Sequence, residues 1–400
     1  MVRGAERIER IIGALQDAEL DALVCTLPTN VLLLSGYWPV VGTAVAVATR
    51  DGRIAVLAPD DEQELALHGW ATEVRTYQPG SLTQLTSPAA AVREPLAALL
   101  QALGVIEGRI GYVDTDTYEQ SSYAAMYFFQ GAFTGVLAAA APKATRTAAG
   151  AAIAQLRSTL TGEELDQVRL ACSIAEAAFA GGLRSLRPGA TEAAVAATYA
   201  TPLSVAGLSR PGVERAGGFV FAMFGPNAAL AGGAYARSRD RELRSGDFVL
   251  VHCNSYVNGY WTDITRTYCL GEPDQRQRAM YAAILAARTA ALDAIRPGAA
   301  AADVDRAARA VLTERGFGNE FTHGVGHNVG FSAISAEYPP RLHPASPDHL
   351  AIGMTFNIEP AIYIKGYGGL RHCDVVTVRA AGAEVLTPFQ VGMEAMTVPV

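Results

Sequence analysis

Residues 186–190 read Leu-Arg-Pro-Gly-Ala, and residues 295–299 read Ile-Arg-Pro-Gly-Ala, almost the same words 109 positions later. Each copy follows a helix-patterned stretch, running from Thr161 to about Leu183 in the first case and over Gln275–Ala294 in the second. Each also precedes an alanine-rich helical stretch. A five-residue match alone could be chance, but the shared context on both sides argues for internal duplication. The region from 151 onward is therefore read as two related α/β halves sharing one curved sheet. Thr161 and Glu164 give its first helix a capping-box start, each side chain satisfying a backbone donor of the opening turn.

Ahead of this region, short β-rich runs alternate with helical ones. Ala22–Cys25, Val31–Leu34, Ala44–Ala48 and Ile54–Leu57 read as strands, Glu62–Gly69 and Tyr118–Gln130 as helices. Asp51-Gly52 marks a hairpin, so the sheet should be mixed. The stretch 142–150 is small, polar and turn-prone, which places a boundary between domains 1–150 and 151–400. Two domains suit 400 residues, and 50% hydrophobic against 18% charged composition provides material for two cores. The net charge of −7 comes without basic runs, so nucleic acid is not an expected partner. Five scattered cysteines argue against a disulfide framework or a zinc knuckle and fit a reducing cytoplasm. The first residues carry the 3.6-residue pattern of an amphipathic helix rather than a secretory signal, and no apolar stretch reaches membrane-spanning length.

The chemistry gathers downstream. Residues 248–270 read FVLVHCNSYVNGYWTDITRTYCL, in which Asn258-Gly259 signals a two-residue hairpin. Partners then have numbers that sum to 517, and His252 lies one diagonal step from Asp263 on the same face, about 7–8 Å between Cα atoms. Residues 323–330, HGVGHNVG, set His323 and His327 among glycines that allow close backbone approach. Glu359 ends the apolar run of GMTFNIEP, where a buried carboxylate needs a cation, an ion or a raised pKa. Arg371, His372, Cys373 and Asp374 stand together ahead of another apolar strand.

Taken in order, GYxxDITRT, GxGHxxG, GMTFNIEP and GLRxxDVVxV resemble the creatinase, aminopeptidase P and prolidase family, and Asn30–Tyr37 resembles its N-terminal domain. The resemblance implies an α/β (α+β) chain with a creatinase-like α/β domain followed by a pita-bread domain, whose pseudo-twofold the repeat supports independently. It also implies a homodimer in which Tyr37 and Trp38 would line the partner's pocket. Peptidase members hold two divalent metals with two aspartates, a histidine and two glutamates. Asp263, His327 and Glu359 match three of these. His252 stands where the first aspartate belongs and Cys373 where the second glutamate belongs. The two proton-handling histidines are replaced by Ala234 and Ile334.

Carboxylates can bridge two ions, whereas a neutral imidazole serves one. The altered set of His252, Asp263, His327, Glu359 and Cys373 is therefore expected to hold one divalent ion, zinc, iron or manganese, with metal-free catalysis as the other route. Cys373 could be a ligand, a nucleophile or a buried filler. Glu359, His252, His323 and Arg371 are the candidate catalytic groups. Arg341 and His372, with Tyr37 and Trp38, are the candidate substrate contacts. The leading expectation is a hydrolase or lyase acting on a C–N or related bond of a small polar molecule, as in creatinase. The alternatives are an Xaa-Pro dipeptidase or aminopeptidase and a catalytically silent binding module.

Overall fold

The computed structural model describes residues 3–40, 43–80, 83, 86–113, 118–120, 127–129, 131–233, 236–335 and 338–400. The chain divides into two compact units, Met1–Arg157 and Ser158–Val400. No helix among the described residues is long and apolar enough to cross a membrane.

In the first unit, α1 (Ala5–Asp17) leads into β1 (Ala22–Cys25), and β2 (Val45–Thr49) and β3 (Ile54–Pro59) form the expected antiparallel hairpin, Ala48 opposite Ile54. Gly52 turns it at φ 89°, a region that favours glycine. With β4 (Glu73–Tyr77), β5 (Arg109–Tyr112) and β8 (Thr145–Ala148) these strands make one mixed sheet in the order β4-β3-β2-β1-β5-β8. Val92, Leu96, Leu99 and Leu100 of Pro88–Ala102 and Leu137 of Gly131–Ala140 join the core that buries Val24, Val45, Val47 and Leu57.

Two local expectations are corrected. Residues 31–34 are not a strand but part of α2 (Pro28–Ser35), which has proline in its first turn and ends at Gly36 with φ 72°. Seven of its eight residues are buried, so no polar face reveals the helical period. The helix expected over 118–130 is absent at its described residues: β6 (Tyr118–Gln120) and β7 (Tyr127–Phe129) pair antiparallel. Aromatic residues favour strands, and this preference outweighed the helical reading. The remaining positions of that span lie outside the described residues.

The second unit opens on α3 (Gly162–Gly182), where both hydrogen bonds of the Thr161/Glu164 capping box form. The repeated words are the same turn built twice. Ala190 N–H reaches Arg187 O and Ala299 N–H reaches Arg296 O, each at 3.1 Å, with Gly189 and Gly298 at φ 81° and 84°. Each turn then binds a leucine ahead of the next strand: Leu243 N–H donates to Ala190 O and Leu350 N–H to Ala299 O, both at 2.8 Å. Helix α4 (Glu192–Leu208) follows the first turn. After α5 (Gln275–Ala294), α6 (Ala301–Glu314) follows the second.

The strands of this unit are β9 (Ala216–Phe224), β10 (Phe248–Val257), β11 (Tyr260–Trp261), β12 (Ile264–Leu270), β13 (Thr355–Ile358), β14 (Ala361–Ile364), β15 (Gly368–Arg371), β16 (Asp374–Arg379), β17 (Gly382–Val385) and β18 (Thr397–Val398). Among the described residues these strands do not form one continuous sheet. A five-stranded sheet around β10, a β13-β16-β17 sheet and a β14-β15 pair are separate ladders, and the Thr265–Cys373 bridge joins the first two. The two related halves are present as the pita-bread fold requires. The non-strand residues 372 and 373 interrupt the ladder where the candidate site lies.

Candidate active site

Asn258 and Gly259, at φ 50° and 90°, close the hairpin in the expected register, so Val257 faces Tyr260 and His252 faces Thr265. This places His252, Asn254, Asp263 and Thr265 together in the interior. Asn254 turns its amide nitrogen to Thr262 O, leaving Oδ1 to accept from His252 Nε2 at 3.1 Å. His252 therefore carries its hydrogen on Nε2 and a lone pair on Nδ1. Arg371 Nη2 donates to that lone pair at 2.7 Å. Burial pushes the His252 pKa down to about 4, outweighing the pull of Asp263, so the ring is neutral at pH 7. His252 Nδ1 also lies 3.4 Å from Asp263 Oδ1, so the ring borders the carboxylate as well as the guanidinium.

The other side of the site comes from the glycine-rich segment and β13. Asn357 N–H donates to His327 O at 3.0 Å, and Glu359 N–H to Val325 O at 2.8 Å, which lays the segment alongside the strand. Gly326 is required there, since a Cβ would stand 1.9 Å from Asn357 O. His327 Nδ1 faces Asn328 O at 3.1 Å, so Nε2 points inward, 3.3 Å from Asp263 Oδ2 and 3.7 Å from Glu359 Oε1. Burial lowers the His327 pKa, but the Asp263 and Glu359 carboxylates outweigh it and raise the value. Burial opposes ionisation of Asp263, yet His252, His327 and Arg371 hold its carboxyl below the ordinary value.

Asp263, His327 and Glu359 each offer an atom within 4.8 Å of the others, a nitrogen and two oxygens that suit one transition ion. The raised His327 marks the same point as one that favours positive charge. Cys373 fits less well. Its Sγ donates to Asp263 O at 3.1 Å, and burial, with Asp263 and Glu359 adding, pushes the thiol well above its usual range. It is a neutral donor here, which counts against the nucleophile and leaves ligation dependent on losing that proton.

A cavity of about 380 Å³ opens beside this group, with His323, His327, Arg341, His343, Ser346 and Glu359 on its wall. His323 faces Tyr363 OH at 3.2 Å. Arg341 holds Asp348 through two contacts of 2.6 and 2.9 Å, so its fork is already engaged. His372 is absent from the cavity wall: it is buried 3.3 Å from Asp374, and burial together with Arg266 pushes its pKa down to about 4. Tyr37 is buried in the first unit and donates to Glu62 Oε2 at 2.7 Å. Trp38 is half-buried. Ile334 is half-buried, and Ala234 lies outside the described residues.

Three contributors escaped the sequence reading. Asn357 accepts from His327 N–H at 2.7 Å and places Nδ2 within 3.1–3.5 Å of His327 Nε2, Asp263 Oδ2 and Cys373 Sγ. Its signal was period-two alternation, which puts it on the face of Glu359. Tyr363 repeats that spacing beyond the site, and His343 carried no local pattern at all.

A cluster of two carboxylates and an imidazole able to hold a metal ion, set in a pita-bread scaffold, is the class of site these observations define. Residues 166–380 match the model of metallopeptidase family M24, and residues 7–158 match the creatinase/prolidase N-terminal domain. The chain belongs to metallopeptidase family M24. It is 28% identical over 383 residues to the Xaa-Pro dipeptidase of Pyrococcus furiosus, covering 96% of this chain and 97% of that one. It is 38% identical over 230 residues to the probable dipeptidase PepE of Mycobacterium tuberculosis, a match spanning 57% of this chain and 58% of that one. The crystal structure of dipeptidase PepE from Mycobacterium ulcerans superposes with a TM-score of 0.77 at 28% identity, covering 99% and 98% of the two chains. These relatives favour the peptidase alternative over the creatinase-like expectation.

Proposed function

We propose that this chain hydrolyses dipeptides, Xaa-Pro dipeptides among them, with one divalent transition ion held by Asp263, His327 and Glu359. The convergence of these three groups beside a cavity of about 380 Å³ carries the reading, and the dipeptidases among its relatives support the substrate class. Asp263, His327 and Glu359 would hold the ion, which when bound would supply Lewis-acid chemistry. Glu359 faces His327 through Oε1 and Arg371 through Oε2, 3.6 Å from Nη1, and would act as the base toward the attacking water. His323, on the cavity wall, would contact the bound peptide. His252 acts by holding Arg371.

The working division is an N-terminal domain over 1–150 and a catalytic domain over 151–400. On the same footing the protein is a cytoplasmic homodimer acting on small molecules; a monomer by light scattering at micromolar concentration would remove the dimer.

The test is hydrolysis of a dipeptide panel by protein loaded with manganese, zinc or iron. Turnover that Asp263→Ala lowers by more than the about 10–100-fold typical of outer-shell changes supports the reading. His252 and Cys373, in place of carboxylates, favour a second reading, creatinase-like hydrolysis of small C–N compounds. Turnover of amidine, ureido or cyclic amide compounds with no dipeptide cleavage would select it. A silent binding module is left if both panels stay inert.

A further inference from the structure

Family resemblance implies two ions, and the residues present accommodate one of them. The groups placed for the other are His252 Nδ1, Asp263 Oδ1 and Cys373 Sγ, at 3.4 Å from imidazole to carboxylate and 3.8 Å from carboxylate to sulfur. Beside His252 stands Arg371, 3% exposed, with Nη2 2.7 Å from His252 Nδ1 and Nε 3.0 Å from Thr265 Oγ1.

The decisive point is the number of electron pairs. A neutral imidazole has one in-plane lone pair, and Asn254, by accepting from Nε2, assigns it to Nδ1. Arg371 Nη2 at 2.7 Å and the Thr265 hydroxyl at 3.1 Å both face that pair, the guanidinium being the nearer. A carboxylate at the same place has a second oxygen and could accept from the guanidinium while binding an ion. A guanidinium also carries a fixed positive charge that no nearby deprotonation removes, and at 2.7 Å from His252 Nδ1 it opposes a cation at that nitrogen.

We propose that the Asn254–His252–Arg371 chain closes the second metal position, so that the centre combines one exchangeable ion with one permanent guanidinium charge. The proposal rests on the reading of Asp263, His327 and Glu359 as a metal centre. Arg371 is then the cation that remains when the ion is removed, and His252 is its positioning residue.

The experiment is cobalt stoichiometry by elemental analysis, after equilibration with excess cobalt(II) and desalting, on the full chain. Wild type is compared with His252→Asp and Arg371→Met, each checked for folding by circular dichroism. The two substitutions open the position by different routes, one adding an acceptor oxygen and the other removing the guanidinium. Each variant is expected to hold one cobalt more than wild type, one rising to two. Should Arg371→Met not fold, His252→Asp decides. Two cobalt ions in wild type, or no gain in the folded variants, would overturn the proposal. Absence of cobalt from wild type would instead break the metal-centre reading, and the difference between wild type and variants would still report on closure. The assay needs no turnover, so inert dipeptide panels leave its outcome interpretable.

Discussion

The central strands of the two units are equally buried and differently made. In the first unit β1, β2 and β3 read ALVC, VAVAT and IAVLAP, and every residue is buried. In the second, β10 and β12 read FVLVHCNSYV and ITRTYCL and bury all but one of their residues, yet His252, Asn254, Ser255, Thr265, Arg266 and Thr267 are among those buried. Apolar strands are held by area removed from water, about 25 cal/mol per Å². Polar ones must satisfy each donor and acceptor or lose stability. Arg266 shows how fully this is done: it donates to the carbonyls of Phe389, Thr265, Cys373 and Thr387 and to Asp374 Oδ1. Burial that the first sheet gives to cohesion, the second gives to a network that orients the site.

The contrast can be broken by substitution. Asp374 faces Arg266 at 2.8 Å and Arg288 at 2.5 Å with no exposure, so Asp374→Ala leaves buried guanidinium charge uncompensated and should cost about 3–5 kcal/mol in urea unfolding. Leu57→Ala in the apolar sheet should cost about 2–5 kcal/mol and leave metal content unchanged. If Asp374→Ala costs clearly less than Leu57→Ala, the polar network is not what holds the second unit.

Acid sharpens the same comparison. His372 is neutral in the fold with a pKa lowered to about 4, while the unfolded ring protonates near 6.5. Between those values the unfolded state binds the extra proton, so the contribution is fully present above about pH 6.5 and fades toward pH 4. A shift of this size corresponds to roughly 3 kcal/mol. Unfolding followed across that window should show the second unit weakening, and His372→Gln should flatten the slope. An unchanged slope would mean that His372 does not stay neutral in the fold. The smallest expected effect is Thr161→Ala, which removes half of the capping box and should lower stability by about 1 kcal/mol without touching metal binding.

Legibility followed the range of the interactions. The Asn258-Gly259 hairpin, the capping box and the Arg-Pro-Gly-Ala turns are built from neighbours in sequence, and their residue types carry their own dihedral preferences. The helix at 28–35 was misread because burial on all sides erased its period. Of the candidate site, Asp263, His327 and Glu359 were recognisable through the resemblance of their motifs to the creatinase, aminopeptidase P and prolidase family. Asn357 was passed over although it shares a strand face with Glu359, because its value lies in what stands opposite it.

From the order of residues alone came the two-unit plan, the duplicated halves, the family and the three groups that converge, since each depends on local pattern or on motif sequence. Tertiary structure alone gives His252, His372 and Cys373 their partners and surroundings. A histidine's tautomer, a thiol's proton and the destination of an arginine depend on burial and on partners more than a hundred residues away, as in the contact from Arg371 to His252. Those partners meet only when the strands on either side of the interrupted sheet are brought together.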